Sequence, residues 1–162
     1  MGGISMIGLT IALIGAALGA ALASAGSAKG VGIAGEAVAG VLSEKSDLFG
    51  TALILQALPG TQGFYGFIGA FLILLRLGLL GGNVPNLTLE QGLAVFAVSI
   101  PLMVGEFMSA IWQGKASAAA LQMIAQNPET SGQAIIISAL VETYAILSLI
   151  ISIILLFFGV KI

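Results

Sequence analysis

Residues 1–28 and 48–75 contain no charged side chain, and neither does the stretch from 143 to 160 near the other end of the chain. Uninterrupted apolar runs of this length leave few folds open. About 20 apolar residues cross the roughly 30 Å hydrocarbon core of a bilayer as a helix. Lipid offers no partner to backbone N–H and C=O groups that a helix or closed barrel leaves unpaired. A third run, residues 91–105, is interrupted only at Glu106. Composition agrees, since 7% of the residues are charged, against about a quarter in a soluble domain. The sequence therefore reads as an all-α membrane protein with four transmembrane helices. The net charge of −2 excludes a basic nucleic-acid footprint. Without cysteine or histidine there is no disulfide framework, thiol nucleophile, soft-metal cluster or imidazole acid–base chemistry. Any bound ion must be a hard one held by oxygen.

Polar punctuation separates the runs. Ser43-Glu44-Lys45-Ser46-Asp47 closes the first, Gly81-Gly82-Asn83-Val84-Pro85-Asn86 the second, and Gln126-Asn127-Pro128-Glu129 the third. Thr88 with Gln91 three residues on predicts a capping box at the start of the third helix. Helices of roughly 30–35 residues are expected, long enough to project into water or to tilt. Ala21-Leu22-Ala23-Ser24-Ala25 resembles a signal cleavage site, but no positive segment precedes it and the small-residue pattern continues. The myristoylation pattern fails at Met6. Lys29, Lys45 and Lys115 lie toward the first and third loops, Arg76 and Lys161 toward the opposite side. Positive-inside bias then places both termini outside and the loops near 41–48 and 126–132 in the cytoplasm.

The chain repeats itself. A shift of 82 residues lays Gly50–Leu80 over Gly132–Ile162, with Ala57-Leu58-x-x-Thr61 on Ala139-Leu140-x-x-Thr143. Both halves start and end on the same sides, so this is a tandem duplicated helical hairpin: residues 1–80, then 81–162. In that register Glu142 faces Gly60, so the second hairpin alone carries a buried carboxylate. Helix one has its own signature: Gly15-xxx-Gly19-xxx-Ala23 continues into Gly26-xxx-Gly30. Such spacing lets helices approach closely in lipid, where packing drives association. Small residues surround the helix on every side, which suits a crowded inner layer flanked by copies of itself. Helices two and four are rich in Leu, Ile and Phe, as an outer, lipid-facing layer is.

Glu142 lies 11 residues into helix four, about 16 Å from the membrane edge. A central carboxylate costs at least about 2.5–3.5 kcal/mol to insert, so its default reading is functional. Gln62 on helix two and Gln113 on helix three come to roughly the same depth. Thr61 and Thr143 flank them, Tyr65 follows one turn after Thr61, and Pro59-Gly60 loosens the helix there. A carboxylate, two amides and hydroxyls at one level make an oxygen cage for a small hard cation. A proton needs fewer partners. Glu106 stands seven residues before Gln113, about 10 Å toward the outside. Three roles suit it: pairing with Arg76, a place on an ion path, or a neutral carboxyl.

These motifs resemble a known family. Leu58-Pro59-Gly60-Thr61-Gln62-Gly63, Gln113-Gly114-Lys115, Val141-Glu142-Thr143-Tyr144-Ala145 and Gly26-Ser27-Ala28-Lys29-Gly30-Val31-Gly32 look like the four-helix proteolipid rotor subunit of bacterial sodium-translocating V-type ATPases. The resemblance implies a bacterial cell membrane, and a homo-oligomeric closed ring with helices one and three inside. It implies a stator subunit supplying an arginine and central-stalk subunits at the cytoplasmic loops. It implies a non-catalytic subunit that binds one Na+ through the Leu58 carbonyl, Thr61, Gln62, Gln113 and Glu142, with Tyr65 hydrogen-bonded to the carboxylate. The alternatives are a proton-translocating ring using the same Glu142, and a small cation antiporter, which leaves the all-round small surface of helix one unexplained. No Walker-type phosphate loop is present, so ATP hydrolysis by that route is excluded.

Overall fold

The computed structural model describes residues 3–162, with side chains from Ile7 onward. Four helical spans, of 38, 31, 38 and 32 residues, are long and apolar enough to cross a membrane. At 1.5 Å per residue they run about 46–57 Å, well beyond the hydrocarbon core. The first span is one unbroken helix, α1 (Gly3–Glu44). The second consists of α2 (Phe49–Ala57), a 3₁₀ turn over Leu58–Gly60, and α3 (Thr61–Arg76). The third joins α4 (Leu89–Pro101) to α5 (Phe107–Gln126) through a π-turn at Leu102–Glu106. The fourth is α6 (Ser131–Ile154), ending in a second π-turn at Leu155–Gly159.

The breaks fall where turn chemistry puts them. Gly78 and Gly82 take φ of 75° and 78° between the second and third spans, a left-handed backbone that only glycine adopts without strain. The expected capping box forms: Thr88 Oγ1 accepts from Gln91 N–H (3.2 Å) while Thr88 N–H donates to Gln91 Oε1 (3.0 Å). Asn127 leaves the helix at φ −138°, and its Oδ1 accepts from Glu129 N–H (3.3 Å). The Lys45 ammonium donates to the Ala125 carbonyl, at a helix end where free carbonyls favour a cation. This bond ties the first loop to the third.

The first span packs against both the second and the third, while the fourth packs mainly on the third. Glycine sets the closest crossing. A Cβ on Gly92 would fall on the backbone of Gly8, and one on Gly114 on the backbone of Gly30. The separation in sequence is the same for both pairs, so the first and third spans run parallel in constant register. Gly15 and Gly26 meet Phe96 and Phe107 along the same stripe. The small residues on the other faces of α1, among them Ala17, Ala21, Ser24, Ala25 and Ala28, are exposed. So are Ile136, Leu140, Leu147 and Ile151 on α6.

Two apolar cores fill the bundle. One gathers Leu9, Ile73, Val95, Val98 and Leu156 toward the end bearing the termini. The other gathers Val38, Leu48, Leu55, Leu121 and Ile124 toward the opposite end. Between them lies a layer of buried polar side chains.

Candidate functional site

That layer begins with a proline. Pro59 has no N–H to donate, and the helix tightens into a 3₁₀ turn over Leu58–Gly60. The Leu58 carbonyl then accepts from both the backbone N–H and the hydroxyl of Thr61, the latter at 3.0 Å. Ser27 on the first span locks the turn from the side. Its hydroxyl donates to the Gly60 carbonyl (3.3 Å) and accepts from Gly63 N–H (2.7 Å). Gly63 and Gly66 let α3 lie close to α1, where a methyl group at Gly66 would collide with Ala23.

The turn aims Gln62 into the bundle, where it is 0% exposed. Its Nε2 donates to Gln113 Oε1 (2.6 Å) and Ser109 Oγ (3.2 Å), and its Oε1 lies 3.4 Å from the Thr61 hydroxyl. Gln113, also 0% exposed, donates to the Ser138 carbonyl (3.3 Å) and reaches Glu142 Oε2 at 3.5 Å, the outer limit of a hydrogen bond. Tyr65 completes the group from the second span, its hydroxyl donating to Glu142 Oε1 at 2.6 Å. Glu142 is half-buried, between the second, third and fourth spans.

All six side-chain and carbonyl positions expected from the sequence thus meet in one connected network. Leu58 O, Thr61 Oγ1, the oxygens of Gln62 and Gln113, and the Glu142 carboxylate surround a single negative charge. Such a donor set suits a hard monovalent cation: one carboxylate plus one monovalent ion sums to zero, whereas a divalent ion would leave a net positive charge in lipid.

One expectation fails, and one of the three roles open to Glu106 falls away. Thr143 does not join the layer; it is exposed and its hydroxyl donates back to the Leu140 carbonyl (2.8 Å). Its helix phase, one residue past Glu142, turns it about 100° away. Glu106 does not pair with Arg76. It is 0% exposed, neither carboxyl oxygen has a hydrogen-bond partner among the described residues, and Arg76 faces outward. The π-turn that ends at Glu106 directs it into the bundle centre.

The structure also adds residues that sequence reasoning missed. Ser109, besides accepting from Gln62, donates to the Val141 carbonyl (3.0 Å), and Ser117 and Ser138 share a hydroxyl bond (2.7 Å). Ser109 and Gln113 are one turn apart on α5, and that spacing was the available signal.

Known proteins share this arrangement's sequence. The family profile for the C subunit of ATP synthase matches the chain twice, at residues 14–73 and 96–155. The chain belongs to the ATP synthase C-subunit family. It is 44% identical over 145 residues to the V-type sodium ATPase subunit K of Enterococcus hirae, covering 90% of this chain and 89% of that one. It is 40% identical over 148 residues to the A-type ATP synthase subunit K of Methanocaldococcus jannaschii, covering 91% of this chain and 62% of that protein. Members of the family are non-catalytic membrane proteolipids that form oligomeric rings within the ATPase complex. In this member each of the two matched segments spans most of one hairpin.

Proposed function

We propose that this chain is the rotor proteolipid of a sodium-translocating V-type ATPase, and that Leu58, Thr61, Gln62, Gln113 and Glu142 bind one Na+ per subunit. The single observation that carries the reading is the chain of buried amides running from Gln62 through Gln113 to the Glu142 carboxylate. A proton carrier has no use for the second amide. The 44% likeness to a V-type sodium ATPase subunit K supports it.

The mechanism follows from charge energetics. Na+ neutralises Glu142, and the loaded subunit then moves through lipid without an uncompensated charge. Once the ion leaves, the bare carboxylate is costly against lipid and stable beside an arginine of the stator and an aqueous half-channel. Loading through one half-channel and unloading through another ties transport to rotation. Tyr65 holds Oε1 of the carboxylate inward, which keeps the other oxygen turned toward Gln113. The two hairpins, 1–80 and 81–162, contribute unequally: the first supplies the backbone turn and Gln62, the second Gln113 and the charge. In this reading both termini face outside, and the loops near 41–48 and 126–132 meet the central stalk in the cytoplasm. The bond from Lys45 to Ala125 presents those loops as one surface.

The test is labelling of the purified ring with a carbodiimide that attacks protonated carboxyls, at fixed pH over a range of sodium. Protection of Glu142 by sodium, weakening as pH falls, is the expected result. Labelling indifferent to sodium would make this a proton rotor. Glu142→Gln is expected to abolish coupled transport and leave ring assembly intact.

A further inference from the structure

Inside the bundle, the sodium site leaves one acidic side chain without a task. Of the seven acidic residues, Glu36, Glu44, Asp47, Glu90 and Glu129 are exposed, and Glu142 carries the proposed ion. Glu106 is 0% exposed, and neither of its oxygens has a hydrogen-bond partner among the described residues. Local structure puts it there. Pro101 gives no N–H to the helix ladder, and the turn that follows, Leu102–Glu106, widens to a π-helix. That turn packs on the first, second and fourth spans together.

Neighbouring contacts fix what stands at the level of Glu106. The constant register from Gly8/Gly92 to Gly30/Gly114 sets it level with Leu22 and Ala23 of the first span. Ala23 in turn meets Gly66 of the second. On the fourth span, Ser109 reaches Val141 and Gly105 abuts Ser148, which puts Ala145 at the same level. Ala23, Gly66 and Ala145 are buried, and none has a polar side chain to offer. The charged and titratable groups around this layer are no better placed to hold an anion. Tyr65 on the second span already donates to Glu142 on the fourth, which is itself a carboxylate. Lys29 on the first span is exposed and about 10 Å further along, Lys115 lies over the Trp112 ring, and Arg76 faces outward. Ser99, the other buried side chain without a partner, is two turns away, about 10 Å.

Charge energetics then decide the state of Glu106. Sodium at Glu142 brings that carboxylate to zero. An ionised Glu106 would still leave the loaded subunit at −1 in lipid, and a buried charge with no partner neutralises instead of persisting. A second sodium could cancel the charge only with several oxygens around it, where this layer supplies alanine and glycine. A proton needs no further ligand. Resting on the sodium site proposed above, we infer that Glu106 is a second ion site of another kind, holding a resident proton that stays while sodium exchanges at Glu142. Each loaded subunit then carries one exchangeable Na+ and one fixed H+, and enters lipid neutral. The proton is a fixture and not cargo, because no hydrogen bond leads away from Glu106.

The test is infrared spectroscopy of the purified ring at neutral pH and saturating sodium, in H2O and D2O. A protonated carboxyl has a C=O stretch, shifted by deuteration, that a carboxylate lacks. Wild-type rings are expected to show one protonated carboxyl per subunit, absent from Glu106→Gln and retained in Glu142→Gln. The Glu142→Gln ring keeps the test decisive should Glu106→Gln fail to assemble, since the other five acidic side chains are exposed and ionised. No protonated carboxyl in sodium-saturated wild type, or a band unchanged in Glu106→Gln, would overturn the assignment. Two bound sodium ions per wild-type subunit, falling to one in Glu106→Gln, would overturn it too, because Glu106 would then hold a cation. Two protonated carboxyls at every sodium concentration, one lost in each variant, would sink the sodium site and leave the proton on Glu106 standing.

Discussion

Replacing Gly114 with alanine is expected to damage ion binding without touching a ligand. The added methyl lands on the backbone of Gly30, 2.6 Å from its Cα and 2.8 Å from its carbonyl carbon, where ordinary contact begins at 3.4 Å. Its nearest neighbour there is the Gly30 carbonyl oxygen, and backbone cannot rotate out of the way, so the first and third spans must part by about 1 Å at this crossing. Gln62 is held to the first span through Ser27, and Gln113 precedes Gly114 directly. The displacement therefore falls on the Gln62–Gln113 bond, stretching it from 2.6 Å to about 3.6 Å, beyond hydrogen-bond reach. Leaving that buried pair unmade costs about 1–3 kcal/mol, roughly a 5- to 150-fold loss of sodium affinity. The assay is a sodium titration of carbodiimide protection at Glu142 in wild-type and variant rings. Gly132→Ala is the control, since nothing lies within 4 Å of a Cβ built there. Sodium affinity within twofold of wild type in Gly114→Ala would refute the argument that the glycine crossing sets the spacing of the amides.

Three further outcomes follow from the same geometry. Tyr65→Phe removes a charge-assisted bond to Glu142 worth about 1.5–3 kcal/mol, so sodium affinity is expected to fall about tenfold or more, read by the same titration. Glu106→Gln keeps the shape of a buried side chain that has no hydrogen-bond partner among the described residues, and transport and sodium affinity are expected to stay at wild-type level; loss of transport would put Glu106 on the ion path. Thr88→Ala breaks the capping box at a cost of about 1 kcal/mol. It is expected to lower the ring's thermal midpoint while leaving sodium affinity unchanged, and an unchanged midpoint would show that the cap contributes nothing in the assembly.

Local chemistry was enough to write much of this protein from its sequence. Lipid cannot satisfy free backbone groups, so charge-free runs must be helices, and their ends fall at Glu44, at the glycines near 78–82 and at Asn127 because each of those signals acts within a few residues. The capping box at Thr88 is legible for the same reason. The common depth of Gln62, Gln113 and Glu142 was legible too, because a straight helix converts residue count into height. Azimuth was not. Thr143 shares the depth of Glu142 but points away from the network, and Ser109 enters it, because the side a residue faces depends on how four helices pack. Glu106 looked able to reach Arg76 until the π-turn at Leu102–Glu106 turned it inward. The Gly8/Gly92 and Gly30/Gly114 crossings needed two helices laid side by side. Sequence by itself determined where each helix runs and how deep its polar groups lie, since both are local and one-dimensional. Which groups touch was decided only by the tertiary structure, because interhelical contact depends on the rotation and register of one helix against another.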